Sequence, residues 1–296
     1  MYTNSSKKRW RDGLGKGCAV LVKKGEGDMA EITAGARVLR DTVYGCAVGD
    51  ALGVPYEFLT RGTFECTGMR GFGTHNQPAG TWSDDSSMML ATCDSIRELG
   101  RIDTSDMLAK FRAWINNGAY AVDGRVFDYG GTTVAALSSG KGCDGERDNG
   151  NGSLMRIAPL AFTDATDDEV REVSAITHAH ATSTEACVEF VRLVRLAAED
   201  ASAAKTQCEA EVGWELESSI SSGGYVLDTL KAAKWCFANT GDYRECVLRA
   251  VNLGSDSDTT GAVAGALAGA AYGFDAIPSE WVEALRGKDI IESCLF

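Results

Sequence analysis

Proline is scarce in this chain, with four in 296 residues, while alanine-rich stretches are long. So few helix breakers favour helices. Histidine is scarcer still, and three residues argue against a His/Cys zinc site. The ten cysteines form no Cys-x-x-Cys pair. Several fall beside apolar neighbours on apparent helix faces, as reduced, buried thiols do. No stretch approaches the roughly 20 apolar residues needed to cross a bilayer. The nearest, Ala262 to Ala271, is interrupted by glycines and preceded by Asp256 and Asp258. The start is basic (Lys7, Lys8, Arg9, Arg11), but the apolar run Cys18 to Val22 is too short for a signal-peptide core, so a cytoplasmic protein is expected. Positive charge is also in deficit. Lys and Arg number 29 against 42 Asp and Glu, a net charge of −13. That argues against nucleic-acid binding by phosphate neutralisation. An anionic ligand would need metal ions or backbone N–H groups to hold it.

What is present is enough apolar sequence, 44%, to fold. Residues 1–34 read as a basic, glycine-rich extension without sustained helical period, and 35–296 as one globular domain. From Ala34 the pattern turns helical, with Val38, Leu39, Val43 and Ala47 on one stripe. Further helices are predicted over 86–99, 104–117, 167–179, 183–203, 224–239, 242–252 and 257–273. Two glycine ladders recur every four residues: Gly45, Gly49, Gly53, and Gly261, Gly265, Gly269, Gly273. Glycine costs roughly 1 kcal/mol against alanine inside a helix. Close backbone approach between two core helices would offset that cost, and it would bring Asp50 near Asp256 and Asp258.

Three acidic, hydroxyl-rich clusters stand out: Ser83-Asp84-Asp85-Ser86-Ser87, Ser255-Asp256-Ser257-Asp258-Thr259-Thr260, and Asp50 with Glu57. A single aspartate before a helix is ordinarily an N-cap. Paired carboxylates repel one another unless a cation lies between them, and with hydroxyls they form an all-oxygen set suited to Mg²⁺ or Mn²⁺. Other metal and nucleotide motifs fail. The run from Asp256 begins like an EF-hand loop but has Leu267 where a bidentate Glu is required, and neither HExxH nor GxxxxGK[ST] occurs. Two further loops, Asp128 to Thr133 and Asp148 to Arg156, carry glycines ahead of helix-like stretches, where backbone N–H groups favour anions. His178 reads either as a ligand contact or as a helix-end histidine.

Taken in order, GCAVGDALGVPYEF (45–58), GTWSDDSSMM (80–89), FDYGGTT (127–133), NGNGSLMRIAPL (149–160), THAHATSTEA (177–186) and GSDSDTTGAVAGALAGAAYG (254–273) resemble the ADP-ribosylglycohydrolase family. The resemblance spans about residues 35–275. It implies an all-α, compact orthogonal helical bundle with a binuclear metal centre of two Mg²⁺ or Mn²⁺. By position, Ser83, Asp84 and Asp85 match one ligand set, and Asp256, Asp258 and Thr259 the other. The family more often has Thr at the position of Ser83, a change that keeps the hydroxyl. Glu57 matches the acidic residue near the scissile bond, with Asp85 a second candidate proton carrier. Asp128 matches the carboxylate that faces guanidinium in arginine-directed members. Gly130, Gly131, Gly150, Asn151, Gly152, Ser153 and His178 match the loops that hold ADP-ribose.

The implied activity is metal-dependent hydrolysis of the N-glycosidic bond between ADP-ribose and arginine on a modified protein. Serine-linked or other ADP-ribose conjugates are an alternative. So is an immunity protein that neutralises an ADP-ribosyltransferase toxin, by hydrolysis or through its basic extension. A catalytically silent relative is disfavoured by the retained aspartates. Neither nucleic acid nor a membrane is an expected partner.

Overall fold

The computed structural model describes residues 26–296, with side chains from Val38 onward. Residues 1–25 of the expected extension lie outside the described residues, as does Cys18. The backbone of residues 26–34 already belongs to the first helix.

Twelve α-helices make up the described chain: α1 (Glu26–Gly53), α2 (Asp84–Leu99), α3 (Thr104–Asn117), α4 (Gly131–Ser139), α5 (Asp167–Ala175), α6 (Ala181–Glu199), α7 (Ala201–Cys208), α8 (Val226–Ala238), α9 (Tyr243–Asn252), α10 (Ser257–Tyr272), α11 (Ser279–Ala284) and α12 (Lys288–Cys294). Among the described residues the only β-pairing is three isolated bridges, so the all-α expectation is borne out. No helix there is long and apolar enough to cross a membrane.

Local signals set most boundaries. The Ser83 hydroxyl accepts the Asp85 N–H to start α2, and Gly100, at φ 64°, ends it. Asp103 caps α3, and Thr166 with Glu169 forms a capping box on α5. Three expectations need correcting. The predicted helix 183–203 is broken at Asp200, whose extended backbone frees its side chain to cap α7. The stretch after Ser153 is two short 3₁₀ turns, Leu154–Arg156 and Ala158–Phe162, because Pro159 lacks the N–H an uninterrupted α-helix would need. The helix predicted to run to residue 179 stops at Ala175. Beyond it, His178 pairs with Cys143 in an isolated bridge.

The glycine ladders meet, as their spacing predicts. A Cβ on Gly49 would overlap the Gly261 carbonyl, and one on Gly45 would overlap the Gly265 carbonyl and lie 3.0 Å from Gly269 Cα. At the end of the ladder, a Cβ on Gly53 would strike the backbone of Asp258. α10 is apolar around most of its circumference and buried from Ser257 to Ala270, as a central helix must be. Tyr243 of α9, also buried, locks the crossing by donating to the Gly45 carbonyl at 2.7 Å. Backbone-to-backbone contact thus sets the C-terminal end of α1 beside the N-terminal end of α10. The site is built there.

Candidate active site

Asp50, near the end of α1, braces the start of α2. Its carboxylate accepts the Ser83 N–H at 2.9 and 3.1 Å, the Ser86 N–H at 3.0 Å and the Ser86 hydroxyl at 2.6 Å. With Ser83 as the cap, Asp84 and Asp85 are not consumed in capping. Nor does Asp256 cap α10 with its side chain; its carboxylate accepts the Asn151 amide at 2.7 Å instead. The simple capping explanation therefore fails for both clusters.

The two clusters share a floor. Asp85 Oδ2 accepts the Ser83 hydroxyl at 3.0 Å and the Thr259 hydroxyl at 3.3 Å, joining α2 to α10. Asp85 Oδ1 and Asp258 Oδ2 are buried and have no hydrogen-bond partner. Asp50, Asp85 and Asp258 can each offer an oxygen such that all three lie within 4.8 Å of one another. Glu57, His75, Asp128 and Asp258 form a second such group, also within 4.8 Å. Two unit charges ~5 Å apart repel by about 3 kcal/mol at an effective dielectric of ~20. Burial compounds that repulsion. It holds Asp85, Asp84 and Asp258 well above the usual carboxylate range, with neighbouring carboxylates adding to the effect. Asp256 is also raised by burial, and Asp50 is pushed up to about 6. A divalent cation removes this conflict, and orphaned carboxylate oxygens are the donors a hard ion takes. The residues fit one.

Glu57 follows the tight turn Val54–Tyr56 and is buried. Burial first, and the Asp128 carboxylate second, push its pKa up to about 10. Its Oε2 is hydrogen-bonded to His75 Nε2, and His75 lies 3.8 Å from Asp128. Phe58, Asp128 and Ser255 all have positive φ, at 64°, 54° and 61°. Such backbone costs about 1–3 kcal/mol per residue and persists where surrounding structure over-determines it. Here the Phe58 N–H donates to Ser255 O at 2.6 Å and the Ser255 N–H to Leu59 O at 2.8 Å, pinning the two loops together.

Above the floor opens a cavity of about 330 Å³. Glu57, Asp84, Asp128, Gly130, Gly131, Gly150, Asn151, Gly152, His178, Asp256 and Thr259 all line it, so most of the sequence-predicted residues converge. Ser83, Asp85 and Asp258 are buried beneath or beside that lining. Ser153 does not reach the cavity. Its hydroxyl is fully buried, accepting from Ser174 Oγ at 2.9 Å and lying 3.4 Å from Cys187 Sγ, because the 3₁₀ turn that begins there points it inward. Asn151 is held by two bonds from its amide, to Thr229 and Asp256, and by its N–H to Gly224 O at 3.0 Å. Gly152 is required by crowding, since a Cβ would lie 2.8 Å from His178 Cε1 and 3.1 Å from Thr133 Oγ1. Gly130 and Gly131 face open space at the N-terminus of α4, where backbone can approach an anion closely.

His75, Phe58, Tyr129, Met155 and Gly224 belong to the site without having been singled out by sequence. His75 sits in an irregular loop with no periodic pattern. The one signal was its place between Glu57 and Ser83.

A profile of the ADP-ribosylglycohydrolase family matches residues 34–295. The chain belongs to the ADP-ribosylglycohydrolase family. It is 34% identical over 279 residues to the ADP-ribosylarginine hydrolase Tri1 of Pseudomonas putida, covering 86% of this chain and 75% of that protein. It is 31% identical to the ADP-ribosyl-[dinitrogen reductase] glycohydrolase of Rhodospirillum rubrum, over 82% of this chain and 88% of that one. A solved structure described as an ADP-ribosylglycohydrolase-related protein complex superposes with a TM-score of 0.73 at 32% identity, covering 88% of this chain and 97% of that chain. This ADP-ribosylglycohydrolase is accordingly a hydrolase of glycosidic bonds.

Proposed function

We propose that the chain is a divalent-metal-dependent hydrolase that removes ADP-ribose from arginine on a modified protein. The observation that carries this reading is the shared floor. Asp85 ties Ser83 to Thr259, while Asp85 Oδ1 and Asp258 Oδ2 stand buried and unpartnered. Ser83, Asp84 and Asp85 would hold one ion, and Asp256, Asp258 and Thr259 the other, with Mg²⁺ or Mn²⁺ suiting the oxygen donors. Cations bound there supply Lewis acidity and neutralise the crowded carboxylates.

The chain's own groups account for the rest. Hydrolysis breaks the anomeric C–N bond, leaves the oxygen of water on the anomeric carbon, and leaves a proton of that water on the departing nitrogen. One carboxyl group able to take and return a proton suffices, and Glu57, lining the cavity beside Asp128 and Asp256, is that group; Asp85 is the second candidate. Asp128 lines the cavity beside Glu57 and His75, where its carboxylate would face the cationic guanidinium and favour arginine over a neutral linkage. Gly130, Gly131, Gly150, Asn151, Gly152 and His178 form the wall proposed to receive the diphosphate and ribose.

The test is product release from arginine-, serine- and acetyl-linked ADP-ribose, side by side, with Mg²⁺ or with chelator. Release from the arginine linkage alone, abolished by chelator, is the expected result. Equal release from all three would remove the assigned role of Asp128, and release unaffected by chelator would remove the metal.

A further inference from the structure

We propose that Arg156 and Thr177 fix the ring tautomer of His178, so that this imidazole presents its Nε2–H to the cavity as a neutral donor for an anionic ligand oxygen. The donor role rests on the reading of this cavity as an ADP-ribose site; the tautomer itself does not.

Arg156 sits in the 3₁₀ turn that follows the glycine loop, and its side chain is fully buried. Its Nη2 donates to Thr177 Oγ1 at 2.9 Å and to Val173 O at 3.1 Å, while Nε and Nη1 have no partner. The guanidinium lies over the Phe111 ring at 4.6 Å, a cation–π contact rather than an ion pair. Burial lowers its pKa to about 10, so it remains charged at neutral pH and can only donate.

Thr177 is buried as well, and its hydroxyl has one other partner among the described residues, His178 Nδ1 at 2.9 Å. Arg156 already donates to the hydroxyl oxygen. The hydroxyl's own proton therefore has a single acceptor in reach, the lone pair on Nδ1. With Nδ1 accepting, the neutral ring carries its proton on Nε2. A Cβ added to Gly150 or to Gly152 would lie 3.4 Å from that nitrogen, so it abuts the glycine wall of the cavity. Burial, and then the charge of Arg156, push the His178 pKa down to about 3, which keeps the ring neutral at working pH.

The polarity suits an anion. The cavity is also lined by Glu57, Asp84, Asp128 and Asp256, none of which is hydrogen-bonded to His178. The Arg156 charge stands behind the wall with no carboxylate among its hydrogen-bond partners, so its field is not cancelled locally. Arg156 and Thr177 are positioning residues in this account, because neither needs to touch the ligand.

The chain has three histidines, which makes the measurement simple. Imidazole ¹⁵N NMR of the full chain labelled at histidine should show His178 with a protonated Nε2 and a bare Nδ1, before any ligand is added. Thr177→Val should lose that fixed signature and weaken ADP-ribose binding, read by calorimetry with Mg²⁺ present, by about tenfold or more. Thr177→Ser should restore both, a rescue that a purely structural loss would not give. A protonated Nδ1 in the wild-type chain overturns the proposal even if ADP-ribose binds, and even if Thr177→Val fails to fold. Wild-type chain with the expected tautomer but no affinity for ADP-ribose would instead overturn the site reading, and the donor role with it.

Discussion

Asp85 has one oxygen with two hydroxyl partners and another with none, in a setting closed to water. A fold without bound cation resolves such crowding by retaining protons. Asp50, raised to about 6, and Glu57, raised to about 10, hold protons in the fold that the unfolded chain gives up near pH 4 to 4.5. The unfolded state thus binds fewer protons above that pH, and stability must fall as pH rises, through about 6 for Asp50 and onward toward 10 for Glu57. Metal-free protein is expected to melt at progressively lower temperature from pH 5 to pH 8, and added Mg²⁺ to flatten the trend. A melting temperature that climbs over that range without metal would contradict the crowding. His75 was invisible at this scale from sequence, because nothing about a loop histidine announces contact with Glu57. The inward direction of the Ser153 hydroxyl was illegible for a related reason: residues adjacent in a glycine loop need not face the same way.

The crossing of α1 and α10 is the element on which the site depends. It sets Gly53 against Asp258, and Asp50 on the same helix braces Ser83 at the start of α2, so separation of these backbones shifts the α10 ligands relative to those of α2. Gly49→Ala puts a methyl group on the Gly261 carbonyl. Because the clash is with rigid backbone, the overpacking belongs in the upper part of the usual range, about 2–3 kcal/mol. The helix propensity of alanine offsets roughly 1, leaving a net cost of about 1–2 kcal/mol. The expected result in a thermal melt is a loss of roughly 2–5 °C, with divalent affinity reduced as well. Unchanged melting and metal affinity would mean the two helices are not held at glycine distance. The ladders were legible in the sequence because a four-residue glycine repeat has few uses inside a helix. The short helices α11 and α12 were not, since six or seven residues display no period, and Pro159 converted an apolar stretch that looked helical into two turns.

On the scale of the whole molecule, an acidic protein with a net charge of −13 carries a cluster of carboxylates in its interior, beside a wall of glycine loops and a neutral histidine. That division matches a ligand whose ribose lies against cations and whose diphosphate lies against backbone. The sequence announced the two aspartate clusters by adjacency, Asp84 beside Asp85 and Asp256 two residues from Asp258. It left the glycine wall vague, because Asn-Gly loops are turns in most proteins and only the fold brings Gly150 and Gly152 to His178. The measurement that bears most directly on the account is calorimetric titration of Mg²⁺ or Mn²⁺ into metal-stripped protein, wild-type and Asp85→Asn. Two ions should bind the wild-type chain, and Asp85→Asn should lose about a hundredfold in affinity or more. A wild-type chain that takes up no divalent ion, or an Asp85→Asn chain that binds as well as the wild type, would contradict it.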